Sequence, residues 1–206
     1  ESFLPALEGL RLIGRLDLYM LKQVITILAQ PENGDWPPVH VNCSSYSITR
    51  PAFAAEVLAM LAEQGVAPGR LCLELTEGAL VADPEQARLS MKQLADQGMS
   101  VMLDDFGAGF SSLSYVHQYH FSGLKIDKSF ILGLASSVRS RAIVRAIVRM
   151  AESLDLTVVA EGVEDLETLE LLREIGAGQA QGYYFSAPVP IEQLHVSSGK
   201  LQARSL

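Results

Sequence analysis

Six short apolar, β-branched runs alternate along the chain with longer amphipathic ones, and each short run delivers an ionisable or amide side chain at or just past its C-terminal end. The short runs read as strands: Val39–Asn42, Leu71–Leu75, Ser100–Leu103, Gly123–Ile126, Thr157–Ala160 and Gln179–Tyr183. The longer runs read as helices: Leu16–Ala29, with Leu16, Met20, Val24 and Leu28 one turn apart; Pro51–Gln64; a helix capped by Asp83-Pro84 and closed at Gly98; Ser136–Leu154; and Leu166–Gly176. Such alternation implies parallel strands covered by helices. The polar residues choose between the two common solutions. Asn42 closes the first strand, and Glu74 and Glu77 stand at the end of the second. Asp104-Asp105 follow the third, Lys125 and Asp127 end the fourth, Glu161 and Glu164 follow the fifth, and Gln181 ends the sixth. A doubly wound sheet gathers its site at one switch point, usually beside a glycine-rich phosphate loop. A (β/α)8 barrel gathers residues from all strand ends onto one face, and that is the pattern here. The expected fold is therefore α/β, of the TIM-like (β/α)8 barrel type. Such a barrel needs eight strands and about 250 residues. The reading takes residues 1–206 as a single domain that lacks about two strands ahead of Glu1.

Composition narrows the partners. Sixteen Lys and Arg stand against 24 Asp and Glu, a net charge of −8, so duplex nucleic acid is not an expected ligand. An anionic ligand is still within reach through metal ions held by the chain's own carboxylates. With 49% apolar residues the chain can bury a sizeable core. Cys43 and Cys72 lie in apolar strand-like runs and read as buried free thiols, which points to a cytoplasmic domain, free or carried by a membrane-tethered protein. No apolar run approaches the roughly 18 residues of a membrane span, so no membrane contact is expected of this domain.

Glu74, Asp104, Asp105, Glu161 and Asn42 collect on the expected barrel face, with Lys125 and Gln181 beside them. Converging carboxylates repel one another and take up protons unless a cation neutralises them. An all-oxygen donor set suits Mg2+ or Mn2+ rather than zinc. Adjacent aspartates allow one to bridge two ions, and two ions about 4 Å apart form the usual clamp for phosphodiester hydrolysis. Taken singly, each feature has a plainer reading. Asp104-Asp105 could cap a helix, Glu77 could cap a loop, Lys125 and Asp127 could form a surface ion pair, and Gly107 and Gly109 could mark a turn. Arg139, Arg141, Arg145 and Arg149 read as a solvated helix face or dimer edge. His40, His117, His120 and His195 show no ligand spacing and receive no role.

In order and spacing these groups resemble the EAL domain family. The resemblance rests on Val41-Asn42-Cys43-Ser44, Glu74-Leu75-Thr76-Glu77 and the run from Leu103 to Leu113 (Leu-Asp-Asp-Phe-Gly-Ala-Gly-Phe-Ser-Ser-Leu). It also rests on the run from Leu124 to Phe130, on Ala160-Glu161-Gly162-Val163-Glu164, on the run from Gln181 to Ser186, and on the opening Phe3-Leu4-Pro5-Ala6-Leu7-Glu8. It implies a barrel that hydrolyses cyclic di-GMP to linear pGpG with two divalent ions, Mg2+ or Mn2+. Residue by residue, it implies Asn42, Glu74 and Asp104 as ligands of one ion and Asp104 and Asp105 of the other. Glu161 is implied near the second ion as ligand or proton acceptor, Lys125 beside the hydrolytic water, and Gln181 in the water or phosphate network. Glu77 would anchor the loop from Asp105 to Ser112, which couples the site to a dimer interface in this family. Glu164 would face the substrate. A homodimer and fusion to N-terminal sensory or GGDEF-type domains are further implied. The Glu-Ala-Leu strand itself, with its ligand Glu and a phosphate-binding Arg, is not in the sequence. Ser122 stands where the family usually has Asp, and Ala187 where it has a basic residue. Two function classes stay open: an active phosphodiesterase, or a catalytically inactive module that senses cyclic di-GMP.

Overall fold

In the computed structural model, residues 3–10, 12–108 and 112–191 are described. The chain divides into two compact units. The division falls after Val101, with Leu113–His120 returning to the first unit.

The first unit holds helices α1 (Leu4–Gly9) and α2 (Ile13–Leu28), strand β1 (Val39–Asn42), helices α3 (Ser45–Ile48) and α4 (Phe53–Glu63), strand β2 (Leu71–Thr76) and helix α5 (Pro84–Asp96). Strand β3 (Ser100–Phe106) begins there, and most of α6 (Ser112–Gln118) lies there. Strands β1 and β2 run parallel, with Val39 opposite Leu71 and Asn42 opposite Glu74. Leu21, Ile25 and Leu28 of α2, Phe53, Val57 and Leu61 of α4, and Leu71, Leu73 and Leu75 of β2 are sealed from solvent in the core. Helix α5 starts as its sequence predicts: the Asp83 carboxylate accepts the Gln86 N–H, and Pro84 fills the first turn.

Helix α2 departs from expectation in the face it buries. Its buried stripe is Ile13, Asp17, Leu21, Ile25 and Leu28, while Met20 is 43% exposed. Both stripes have helical spacing, and the true one is disguised by a carboxylate. Asp17 is buried because three donors meet it: Ser44 N–H at 3.0 Å, Ser44 Oγ at 2.5 Å and Ser47 Oγ at 2.6 Å. Hydrogen bonds of this kind offset the cost of removing a carboxylate from water. They also pin the segment that follows Asn42. Leu16, Met20 and Val24 instead line a cavity of about 500 Å³ together with His40, Asn42 and Glu74. Helix α4 starts two residues later than Pro51, because residues 51–52 form a turn in which Phe53 N–H reaches Arg50 O. Cys43 and Cys72 are buried thiols that form no disulfide, as expected.

The second unit takes β3 onward to β4 (Gly123–Ile126), α7 (Lys128–Ile131), α8 (Val138–Ser153), β5 (Thr157–Ala160), α9 (Leu166–Ile175) and β6 (Gln179–Ala180). Its strands are parallel and neighbours in chain order, β3 to β4 to β5 to β6. Helix α8 buries Val144, Ile147, Val148 and Ala151 and leaves Arg139, Arg145 and Arg149 exposed. Arg141 turns back to the Leu134 and Ala135 carbonyls. Three of its four arginines are thus exposed, as either reading of that helix face requires. Strand β3 runs three residues past its expected end at Leu103, and β6 stops three short of its own at Tyr183. At Gly182, φ is +158°, and a Cβ there would overlap the Val163 backbone. The chain after β6 thus presses directly onto the chain after β5.

Replacing Asp17 by Ala would strand the buried Ser47 hydroxyl and the Ser44 N–H. Urea unfolding is expected to show a loss of about 2–3 kcal/mol for Asp17→Ala. A loss below about 0.5 kcal/mol would show that water can take over from the carboxylate.

Candidate metal centre

The strand ends of the second unit converge on one buried cation. Lys125, on β4, is only 4% exposed. An ammonium at that depth must be paired. Its Nζ lies 2.6 Å from Glu161 Oε1 and 3.2 Å from Asp104 Oδ1. Lys125 therefore does not pair with Asp127, whose carboxylate instead caps α7 by accepting the Ser129 N–H. Gln181 Nε2 donates to the same Glu161 oxygen at 2.6 Å.

The backbone explains why these groups meet. Val159 lies opposite Lys125 and Ala160 opposite Ile126 on the parallel pair, and Glu161 N–H continues the ladder to Ile126 O. Gln181 N–H bonds Ala160 O, and Val163 N–H bonds Gln181 O, so Glu161 and Gln181 are held side by side just past their strands. The adjacent aspartates need a different device. In a regular strand, neighbours point to opposite faces. Here Leu103 faces Leu124 and Phe106 faces Ile126, so β3 spends three steps where β4 spends two. That extra residue is a β-bulge, and within it Asp105 adopts φ +53°. The result is that Asp104, Asp105 and Glu161 can each place a carboxylate oxygen within 4.8 Å of the others.

Three carboxylates so close are electrostatically uncomfortable. Burial, and then the Asp104 charge, push the Asp105 carboxyl above its ordinary value. Burial also raises Glu161, and it outweighs the Lys125 ammonium that pulls the other way. A divalent cation would relieve both, and the all-oxygen donors are of the type that Mg2+, Mn2+ and Ca2+ accept. The residues thus fit such an ion.

The other expected site residues lie in the first unit. Asn42 and Glu74 are register partners at the ends of β1 and β2. Glu74 is buried, and its Oε1 lies 2.8 Å from His40 Nδ1. The sequence reading gave His40 no role. The signal was its place two residues before Asn42, which on a strand puts both on one face. Glu77 is half-buried at the start of a short 3₁₀ turn, Glu77–Leu80. The loop it was expected to anchor runs through residues 109–111, which lie outside the described residues. Glu164 is exposed and lines a cavity of about 430 Å³ with Lys128, Gly162, Gln181 and Tyr183.

Comparison with known proteins identifies the family. The family model described as "EAL domain" matches residues 1–188. The chain is 36% identical over 196 residues to the cyclic di-GMP phosphodiesterase NbdA of Pseudomonas aeruginosa, covering 94% of this chain and 25% of that protein. It thus spans about a quarter of that relative's length. Among solved structures, the PaMucR phosphodiesterase in complex with c-di-GMP superposes with a TM-score of 0.85 at 34% identity, over 93% of this chain and 78% of that one. BlrP1 of Klebsiella pneumoniae, solved with manganese and cy-diGMP, gives 0.79 at 32% identity, over 85% of this chain and 45% of the other. The fold class expected from the strand ends is therefore right: α/β, of the (β/α)8 TIM-like type, with six strands among the described residues.

Two outcomes test the charge balance of the cluster. Lys125→Met leaves Asp104 and Glu161 without their ammonium. In chelator it should cost about 3 kcal/mol in denaturant unfolding, and millimolar Mn2+ should restore much of that. The second outcome follows from the raised carboxyls. A group with a raised folded pKa favours folding below its unfolded pKa, and that advantage fades as pH rises through the folded value. An added divalent ion competes with those protons. The gain in melting temperature from Mn2+ should therefore grow as pH rises from about 4, the ordinary carboxylate range, and then level off. A gain that is flat with pH would contradict the proton competition.

Proposed function

Because the chain belongs to the EAL domain family, we propose that it hydrolyses cyclic di-GMP to linear pGpG in a reaction dependent on divalent ions. The observation that carries this reading is the trio Asp104, Asp105 and Glu161 closed around the buried Lys125. Asp104, Asp105 and Glu161 are proposed as metal ligands, as are Asn42 and Glu74, with Mg2+ or Mn2+ as the ions and two as their number. When bound, the ions would neutralise the phosphodiester oxygens and lower the pKa of a water.

The chain's own residues then divide the work. Hydrolysis adds the water oxygen to phosphorus and breaks the bond from phosphorus to O3′, and the proton that the water gives up ends on O3′, which leaves as a hydroxyl. Glu161, beside the proposed ions, is proposed to accept a proton from the attacking water. Gln181 fixes the Glu161 carboxylate through Nε2 and so sets the direction of that transfer. Lys125 holds positive charge at the cluster and orients the water through its ammonium protons. Glu164, on the rim of the 430 Å³ cavity, is proposed to face the substrate. Glu77 is proposed to anchor the loop that follows Asp105. No described helix is long and apolar enough to cross a membrane. A cytoplasmic setting, a homodimer and fusion to sensory or GGDEF-type domains complete the proposal.

The competing reading is a module that binds cyclic di-GMP without cleaving it. Retention of every carboxylate of the trio favours the enzyme, since a pure binder has no need to keep carboxylates in mutual repulsion. The test is a turnover assay with Mg2+ or Mn2+ in the longest native protein that carries this chain, following pGpG release. Asp104→Asn should lower turnover by more than about 100-fold, the upper end for changes to outer-shell partners, while part of the cyclic di-GMP binding survives. Binding without any turnover in the unmodified protein would select the sensor reading.

A further inference from the structure

We propose that His40 is a positioning residue for Glu74, an inference that rests on the reading of Glu74 as a metal ligand. Three observations support it. First, Glu74 is only 7% exposed, and an ionised carboxylate at that depth needs donors to hold its charge and fix its plane. Second, His40 supplies one: its Nδ1 lies 2.8 Å from Glu74 Oε1. Third, the strand pairing builds this contact in. His40 and Asn42 share a face of β1, Asn42 is the register partner of Glu74, and all three line the same 500 Å³ cavity. The β1 strand therefore brings two groups to Glu74, an amide at its register position and an imidazole one pleat behind.

The chemistry assigns the tautomer. A carboxylate only accepts, so Nδ1 carries the proton and donates it to Oε1. With Oε1 held from behind, the glutamate loses the freedom to rotate about its last torsion, and the carboxylate is presented in one orientation before an ion arrives. Such outer-shell hydrogen bonds typically change metal affinity by about 10–100-fold. His40 itself is one-third exposed and fills no core volume, so its removal should leave the fold standing.

The experiment is a Mn2+ titration of the full chain, read as free Mn2+ by electron paramagnetic resonance, with urea unfolding in chelator as the control. His40→Ala should weaken Mn2+ binding by about 10-fold with the unfolding midpoint nearly unmoved. His40→Asn should recover most of the loss, because its amide N–H can take the place of Nδ1–H. A general loss of packing would not be rescued in this way. Glu74→Gln separates the two layers of the argument. If Glu74→Gln loses Mn2+ binding and His40→Ala keeps it, the positioning role is wrong and the ligand reading stands. If Glu74→Gln binds Mn2+ like the unmodified chain, Glu74 is not a ligand, and both readings fall together.

Discussion

Asp104 and Glu161, at two strand ends of the second unit, gather on one buried ammonium. Lys125 cannot stay charged in the interior without counter-charges, and Asp104 and Glu161 provide them. Yet three carboxylates against one ammonium leave an excess of two negative charges when all are ionised. A buried ion pair by itself is weak evidence for stability, since apolar residues of the same volume often do as well. The surplus negative charge makes more sense as a standing demand for cations. Burial and neighbouring carboxylates raise the proton affinities of Asp105 and Glu161, in keeping with that surplus.

The architecture was legible because strand ends announce themselves twice, by an apolar run that stops and by the polar residue on which it stops. Val39–Asn42, Gly123–Ile126 and Thr157–Ala160 have the bounds that the sequence suggested. The long helices were placed to within a few residues, and the Asp83-Pro84 start was read from capping chemistry alone. What escaped notice depended on partners far away in the chain. Asp17 sits in an apolar stripe and looks like its polar edge, until Ser44 and Ser47 are found against it. Lys125 and Asp127 look like a local pair, yet they point to different partners, because Lys125 stands on β4 while Asp127 has left it to cap α7. His40 has no ligand spacing with any other histidine, and its meaning comes only from the register of β1 on β2.

The same contrast divides the site. The identity of its carboxylates was available from sequence, since chemistry restricts which residue types can do the work. Their convergence on one face was expected as well, but not how the backbone achieves it. It needs the bulge in β3 and the close approach at Gly182, two backbone irregularities with no periodic signature. A glycine after Gln181 hints at the second, but only the Val163 backbone explains why a side chain is not tolerated there.

The left-handed backbone at Asp105 limits which residues can occupy that position. Aspartate, asparagine and glycine accept a φ near +53°, whereas β-branched and bulky residues do not. Two of the three carry no charge, and each can be reached from an aspartate codon by a single nucleotide change. The conformation that lets Asp105 join the cluster therefore also makes its charge easy to lose without disturbing the fold. Descendants of such a domain can give up that carboxylate in one mutational step and keep their shape. Drift from a chemical role toward a purely recognising one would then meet little resistance from folding.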